Sequence, residues 1–214
     1  AGNFIFARQL GSASDLNGYA IALDASGNIY TTGLFQGTSD FDPGVGTFNL
    51  VAVGATSDIF VSKLDASGNF VWAKGLGGTG ADVGRSIAVD ASGNVYTAGS
   101  FIGTVDFDPN GPTFNMTSAG GADAFISKLS SLGNFVWAKQ FGSTLSDVAN
   151  SISLDGNNNV YTTGYFIGTV DFDPNAGIFN MVSTSATNDI FISKLNTNGN
   201  YVWAGQIGGT AGDI

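Results

Sequence analysis

Six of the acidic residues stand in a motif whose spacing suits a metal ion. Asp-Phe-Asp-Pro occurs at residues 40–43, and the same four residue types return at 106–109 and 171–174. In an extended stretch the two aspartates of each motif point to the same side, because side chains alternate with period two. Paired carboxylates near carbonyl and asparagine oxygens suit Ca²⁺, a hard cation that takes six to eight oxygen ligands. The sequence therefore predicts candidate calcium ligands at Asp40, Asp42, Asp106, Asp108, Asp171 and Asp173.

The same aspartates also fit a structural role. All seventeen acidic residues are Asp and none is Glu, and almost all of them recur at equivalent places along the chain. Aspartate is favoured in turns because its short carboxylate reaches backbone N–H groups two residues further on. The motif also lacks the spacing and the bidentate glutamate of an EF-hand. Turn capping with solvated charge is therefore the first interpretation, and calcium binding is the alternative.

Composition excludes several classes of chemistry. The chain has no histidine and no cysteine, so it cannot build a Ser-His-Asp or Cys-His nucleophile, a disulfide or a zinc site of the usual kind. An aspartate pair for glycoside hydrolysis is conceivable, but an active site needs a unique constellation and every acidic motif repeats. We therefore predict a protein that is not an enzyme and needs no cofactor apart from the calcium considered above.

Charge and hydropathy narrow the range of partners. The net charge is −10, which disfavours nucleic acid, whose phosphates call for clusters of Lys and Arg. It also disfavours anionic membrane surfaces. No apolar run approaches the ~18 residues of a membrane-spanning helix. We expect neither nucleic-acid binding nor insertion into a membrane.

These motifs belong to a repeat of about 66 residues. Tyr30 and Tyr96 are 66 residues apart, and Tyr96 and Tyr161 are 65 apart. The turn asparagines at 28, 69, 94, 134, 159 and 200 are separated by alternating steps of 40–41 and 25 residues. Alternating steps indicate two hairpins, and so four strands A to D, in each unit. Repeats of this size indicate a solenoid, a propeller or an array.

The strand pattern favours the propeller. Runs such as 135–138 have no polar face, as expected when a small sheet is covered on both sides. Stacked blades provide that cover. We therefore predict an all-β fold of β-propeller blades, one four-stranded antiparallel blade per repeat, with an extra hairpin inserted between strands B and C. A two-layer sandwich is the second interpretation and a parallel β-helix the third, since tight antiparallel turns join these strands.

The predicted organisation is one repeat domain over residues 1–214. It divides into a lone D-type strand (1–11), three blades (12–77, 78–142 and 143–209) and the start of a next unit (210–214). Propellers normally have at least four blades. We therefore expect either self-association or neighbouring blades of a longer chain as partners.

Repeated cations and aromatics offer a second candidate surface. Lysines recur in strand C and basic residues in strand D, and a tryptophan recurs in strand D; these are Lys63, Lys128, Lys194, Arg8, Lys74, Lys139, Trp72, Trp137 and Trp203. The tryptophans could stack on carbohydrate, but their position between Val and Ala favours the core between blades. The lysines more often lie over apolar surface or pair with an aspartate than bind a ligand.

Three segments together resemble a known family. They are Asp-Ala-Ser-Gly-Asn-Val-Tyr-Thr-Ala-Gly at 90–99, Asp-Ala-Phe-Ile-Ser-Lys-Leu at 123–129 and Gly-Gly-Thr-Gly-Ala-Asp at 77–82. With them the chain resembles the SBBP family of β-propeller repeats over nearly its whole length. The resemblance implies one blade per repeat and an extracellular or bacterial cell-surface location. It implies no enzymatic activity and no particular binding residues.

Taken together, these features predict a non-enzymatic extracellular scaffold for binding, adhesion or display on a bacterial surface. A glycan or a surface protein would contact the loops at the blade ends or the Asp-rich insertions. The alternative is a structural subunit of an extracellular fibre or sheath, assembled by strand sharing between chains.

Overall fold

The computed structural model describes residues 2–12 and 14–214, and strands make up nearly all of its regular structure. The chain begins with β1 (Gly11–Ser12). The first unit contains β2 (Leu16–Leu23), β3 (Ile29–Phe35), β4 (Thr38–Asp40), β5 (Asn49–Val51), β6 (Asp58–Leu64) and β7 (Phe70–Gly78). The second contains β8 (Val83–Val89), β9 (Val95–Phe101), β10 (Thr104–Asp106), β11 (Asn115–Thr117), β12 (Asp123–Leu129) and β13 (Phe135–Phe141). The third contains β14 (Val148–Leu154), β15 (Val160–Phe166), β16 (Thr169–Asp171), β17 (Asn180–Val182), β18 (Asp189–Leu195) and β19 (Tyr201–Ile207), with a 3₁₀ turn at Thr184–Ala186.

Each unit forms one four-stranded antiparallel blade. Strands A to D are β2-β3-β6-β7 in blade 1, β8-β9-β12-β13 in blade 2 and β14-β15-β18-β19 in blade 3. Strands B and C pair residue for residue. Each C–D hairpin has one register shift beside its turn, and each A–B pair has one register shift within strand A. These sheets confirm the predicted fold class. Among the described residues no helix is long and apolar enough to cross a membrane.

Local turn chemistry sets the ends of strands A and B. The Oδ1 atom of Asp24 accepts the N–H groups of Ser26 at 2.9 Å and Asn28 at 3.0 Å. Gly27 has a φ of +77°, which a residue without a Cβ adopts without strain. In the third unit Asn158 takes the same left-handed conformation. The predicted capping role of these turn aspartates is confirmed.

The predicted extra hairpin is present between strands B and C of every unit. β4 pairs with β5, β10 with β11 and β16 with β17. In unit 2 the hairpin also pairs with the end of strand D of the preceding blade, through Val105 opposite Gly78. In unit 1 the corresponding partner of β4 is β1. In unit 2 the insertion hairpin therefore extends the sheet of the preceding blade, whereas among the described residues β16 and β17 of unit 3 pair only with each other.

Aromatic packing between blades forms the core. Phe125 is fully buried and its ring contacts Phe107 at 5.1 Å and Phe101 at 6.4 Å between centroids. The same cluster contains Tyr30 and Trp72 from the neighbouring blade. A second cluster repeats this arrangement between blades 2 and 3. Burial on both faces explains the strands without a polar side.

The segment predicted as a lone D-type strand over 1–11 shows strand pairing only at its last residue, Gly11. Ala1 lies outside the described residues, and residues 2–10 form no strand. In each blade strand D pairs with strand C of its own unit, and no described residue takes that place beside 2–10. The segment nevertheless packs on blade 1, where Leu10 contacts a buried cluster and Arg8 Nε donates to the carbonyl of Gly68 at 2.9 Å.

We expect Phe125→Ala to lower the free energy of unfolding by about 3–5 kcal/mol, because it leaves a cavity between two blades. Urea denaturation followed by circular dichroism measures this. Val136→Ala, at an exposed position of the same blade, is the matched control and should change it by less than about 0.5 kcal/mol. Equal effects of the two variants would contradict the interblade core.

Candidate functional site

The Asp-Phe-Asp-Pro motif shapes the insertion hairpin. The first aspartate accepts two backbone N–H groups: for Asp40 Oδ1 the donors are Asp42 at 3.0 Å and Phe48 at 2.8 Å. The same two contacts recur at Asp106 and Asp171. The phenylalanine between the two aspartates is fully buried in all three copies. The first aspartate therefore holds the two arms of the hairpin together.

The second aspartate caps the tip of the hairpin. Oδ1 of Asp42 accepts the N–H of Gly44 at 2.8 Å, and Asp108 and Asp173 accept the equivalent N–H of Asn110 and Asn175 at 3.0 Å. No group of three or more Asp, Glu, His or Cys side chains placed to hold a metal occurs among the described residues. Calcium binding by these six aspartates stays a prediction.

The tips that these aspartates support are exposed and differ between units. They read Gly-Val-Gly-Thr at 44–47, Asn-Gly-Pro-Thr at 110–113 and Asn-Ala-Gly-Ile at 175–178. Every residue of the three tips is exposed. A basic side chain from strand D of the preceding blade braces two of them, as Lys74 Nζ donates to Asn110 Oδ1 and Lys139 Nζ to Asn175 Oδ1. The hairpins thus hold different sequences on one common frame.

The repeated lysines and tryptophans have structural positions. Lys63, Lys128 and Lys194 each place Nζ 4.8–4.9 Å from the centroid of a tyrosine ring of their own blade. Trp72 Nε1 donates to the carbonyl of Ser131 in the next blade at 3.2 Å, and Trp137 does the same to Thr197. The interpretation as interblade packing therefore holds for Trp72 and Trp137.

A second set of aspartates lies buried where two blades meet. Asp58 begins strand C of blade 1, and Asp82 precedes strand A of blade 2. Asp82 accepts the N–H groups of Gly78 and Ile102, both at 3.1 Å, and its own N–H donates to the carbonyl of Ser57. Equivalent contacts recur at Asp147, and Asp213 accepts the N–H of Gly209 at 2.9 Å.

The aspartate that begins strand C of each unit has only part of its hydrogen-bonding capacity satisfied. Oδ2 of Asp58 accepts the N–H of Val53 at 2.8 Å. Its Oδ1 atom is buried and has no hydrogen-bond partner among the described residues, and the same holds for Oδ1 of Asp123 and Asp189. Burying a charge without full compensation is costly. Burial therefore disfavours the charged form of Asp58 and Asp123.

Burial and like charge shift the pKa values of these groups upward. Burial raises the pKa of Asp58 to about 6. Burial and, less strongly, the neighbouring charge of Asp58 raise the pKa of Asp82 to about 7. Burial, with a contribution from Asp147, raises the pKa of Asp123 to about 7. The blade junctions therefore contain carboxyl groups that titrate close to neutral pH.

One cleft brings the two sets of aspartates together. It has a volume of about 300 Å³ and is lined by Asp58 together with Asp106 and Asp108 of the next unit. The sequence analysis missed the role of Asp58. A glycine follows it 19 residues later, at Gly77, and the same spacing recurs in the other two units. A Cβ at Gly77 would come within about 2.0 Å of the Asp58 carboxyl carbon, so this glycine spacing was the available signal.

We expect the protein to melt at a higher temperature at pH 5 than at pH 8. Asp58, Asp82 and Asp123 have pKa values of about 6 to 7 when folded and about 3.9 when unfolded. A raised folded pKa contributes stability below about pH 4, and that stability is lost as the pH rises through 6 to 7. Below about pH 4 the Tm should instead fall as the pH falls. Asp24 and Asp90 have lowered pKa values in the folded protein, so their protonation there removes stability.

Thermal denaturation at the two pH values tests this, with two variants. Asp82→Asn should reduce the difference in Tm between pH 5 and pH 8. Asp65→Asn removes the same charge from an exposed turn and should leave the difference unchanged. A wild-type Tm that is equal or higher at pH 8 would show that these carboxyls do not control the stability.

If the paired aspartates bind Ca²⁺, millimolar Ca²⁺ should raise the Tm relative to EDTA. A free concentration ~10-fold above Kd corresponds to about 1.4 kcal/mol of stabilisation. Asp108→Asn keeps an oxygen that can accept the N–H of Asn110 but removes the charge, so it should reduce the response. Equal Tm values in Ca²⁺ and EDTA would rule out binding.

Comparison with known proteins shows which family this architecture belongs to. The SBBP β-propeller repeat matches at residues 5–34, 71–100 and 136–165. Two relatives are the uncharacterized WD repeat-containing protein L264 of Acanthamoeba polyphaga mimivirus and the regulatory protein FlaEY of Caulobacter vibrioides, both 28% identical to the chain. The alignments cover 98% and 82% of this chain but only 17% and 18% of the relatives. The chain therefore spans less than a fifth of the length of these relatives.

A solved structure of a protein of unknown function from Bacteroides caccae covers 92% of this chain and 83% of its own. Its sequence identity is 9% and its TM-score 0.32, too low to support an argument. The family matches are more informative, since each begins in a D-type segment and ends in strand B. With three matches and three four-stranded blades, the chain is a β-propeller repeat protein of the SBBP family.

Proposed function

We propose that the chain is a non-enzymatic binding scaffold that acts outside the cell, on a bacterial surface. The observation that carries this proposal is the contrast between the frames and the tips of the insertion hairpins. All three frames make the same aspartate contacts, at Asp40, Asp106 and Asp171. The three exposed tips differ in sequence. A rigid scaffold that carries variable loops is the usual arrangement of a binding surface.

The distribution of reactive groups supports a role without catalysis. Each acidic side chain with a motif recurs from unit to unit, and neither histidine nor cysteine occurs in the sequence. A repeated set of groups suits repeated contacts with an extended or multivalent partner, since several weak contacts add up when they are linked. A surface glycan or a surface protein is such a partner. The SBBP resemblance supports the proposed surface location.

We expect the fluorescently labelled chain to bind intact bacterial cells in a saturable manner through its tips. Replacing Val45, Pro112 and Ile178 by serine changes one residue of each tip and should weaken the binding about tenfold, or about 1.4 kcal/mol. Leu145→Ser, on an exposed loop between blades 2 and 3, is the control and should bind like the wild type.

Pretreatment of the cells identifies the partner. Periodate, which oxidises glycans, should abolish binding if the partner is a glycan, and protease should abolish it if the partner is a protein. Absence of saturable binding, or binding that the tip substitutions leave unchanged, would contradict the proposed role of the tips.

The second candidate function is a structural one, in which copies assemble into a fibre or sheath. Strand β19 is an edge strand of blade 3 among the described residues, and it carries the exposed side chains of Val202, Trp203 and Ile207. Apolar edge strands promote association between chains. Assembly without any ligand, seen as a mass that grows with protein concentration, would favour this function over binding.

A further inference from the structure

A glutamine in strand D of blades 2 and 3 supports the buried aspartate that begins strand C. In blade 2, Gln140 Nε2 donates to the carbonyl of Thr117 at 3.0 Å and to Oδ2 of Asp123 at 3.4 Å. In blade 3, Gln206 makes the same two contacts at the same two distances. One amide group therefore links the insertion hairpin of its own unit to the buried carboxyl group.

Blade 1 has a glycine where the other two blades have this glutamine. The same Trp-Ala-Lys run precedes Gly75 and Gln140, so the two residues occupy equivalent places in strand D. The corresponding acceptors in blade 1 are the carbonyl of Val51 and Oδ2 of Asp58. Gly75 has no side chain that could reach them. Blade 1 therefore lacks a hydrogen-bond donor that the other two blades supply.

Gly75 lines the cleft of about 300 Å³ between blade 1 and the insertion hairpin of unit 2. Val51 and Asp58, the two groups without the amide donor, line the same cleft. Asp106 and Asp108 line it from the side of unit 2. The place of the missing glutamine side chain is therefore open space bordered by three carboxyl groups.

The carboxyl groups of this cleft lack a compensating cation. Asp58 is only 3% exposed, and its Oδ1 atom has no hydrogen-bond partner among the described residues. Neither Asp58 nor Asp106 forms an ion pair within residues 2–12 and 14–214. Lys74 interacts electrostatically with Asp108, and its Nζ donates to Asn110 Oδ1. Because a buried charge is costly unless it is paired, the cleft favours a positively charged group that donates hydrogen bonds.

A guanidinium group meets these requirements. It is planar and always charged, and its five N–H donors form a fixed fork that can reach a carbonyl and a carboxylate at once. The amide of Gln140 bridges the same two kinds of acceptor in blade 2. A guanidinium group is also more weakly hydrated than an ammonium group, so it enters a partly buried cleft at a lower cost. Leu50, Val53 and Pro109 give the cleft apolar walls, which suit the methylene stem of an arginine.

We propose that the Gly75 cleft binds the guanidinium group of an arginine side chain. Asp58 and the carbonyl of Val51 are its acceptors, and Asp106 and Asp108 supply the remaining negative charge. Among the three described units only the first has a glycine at this place, so the site occurs once per chain, unlike the repeated hairpin tips. The proposal goes beyond the binding function of the tips and does not rest on it.

Isothermal titration calorimetry with N-acetylargininamide, an arginine without backbone charges, tests the site. The wild-type chain should bind one molecule per chain. N-acetylnorleucinamide, which has an apolar stem but no cation, should not bind. A blocked Gly-Arg-Gly peptide identifies the source of the group. Tighter binding of the peptide than of N-acetylargininamide would support the site with a protein segment as the partner, and equal binding would support it with a free guanidinium compound.

Gly75→Gln restores the amide of the other two blades and should weaken the binding of N-acetylargininamide by about tenfold or more. A Cβ at Gly75 would lie 3.4 Å from the ring of Phe35 and 3.9 Å from Leu50. These are ordinary contact distances, so the variant should fold. Gly205→Gln makes the same substitution in strand D of blade 3, where a Cβ would meet nothing within 4 Å. It is the matched control and should bind like the wild type.

Moving the glycine should move the site. Gln140→Gly removes the amide at the junction of blades 2 and 3, where Asp123 takes the place of Asp58 and the next Asp-Phe-Asp-Pro motif stands at 171–174. Alone, Gln140→Gly should raise the number of bound molecules from one to two. Combined with Gly75→Gln, it should return the number to one.

Several results would overturn the proposal. One is a wild type that does not bind N-acetylargininamide at millimolar concentration, and another is a Gly75→Gln variant that binds it as well as the wild type does. Equal binding of N-acetylnorleucinamide would show an apolar cleft without a cation site. Binding of Ca²⁺ that Gly75→Gln abolishes, without binding of N-acetylargininamide, would identify a metal site instead. Cell binding depends on the tips, which Gly75→Gln leaves unchanged, so the failure of one proposal is distinguishable from the failure of the other.

Discussion

The packing of one blade on the next is the constraint on which the rest of the structure depends. A blade of four short strands gains its stability by packing an apolar face against a neighbouring blade. Strands such as Val95–Phe101, in which every residue is buried, satisfy this only within a stack. The aromatic side chains then serve two blades at once, as Tyr30 and Phe125 do in one cluster. Neighbouring blades therefore share one hydrophobic core.

The stacking of blades also explains the buried acids. The carboxyl group at the start of strand C is brought against the spacer of the following unit, where Asp82 accepts backbone N–H groups from both sides of the junction. These contacts organise the connection between blades, but among the described residues they leave Oδ1 of Asp58 without a hydrogen-bond partner. Each junction thereby combines apolar packing with buried carboxyl groups whose pKa values are raised. These carboxyl groups lie outside the tips of the insertion hairpins.

The same constraint links the fold to the two proposed functions. The insertion hairpins lie outside the stacked faces, so their tips can differ without disturbing the packing, as the exposed residues 44–47 and 110–113 show. The stacked faces, in contrast, are fixed by the geometry of the repeat. The proposed binding function therefore rests on the part of the molecule that is free to vary, and the structural candidate function on the exposed side chains of β19.

The sequence by itself determined the number of units, the four strands of each, the inserted hairpin and the turn role of aspartates such as Asp24. These features are local, because a carboxylate that caps N–H groups two and four residues away needs no distant partner. The sequence did not distinguish the role of Asp24 from that of Asp58, because both recur once per unit. Only the tertiary structure decided that Asp24 lies in a turn with a lowered pKa while Asp58 is buried with a raised one. It also decided that residues 2–10 form no strand, since a strand and a buried charge both depend on neighbours that are distant in the chain.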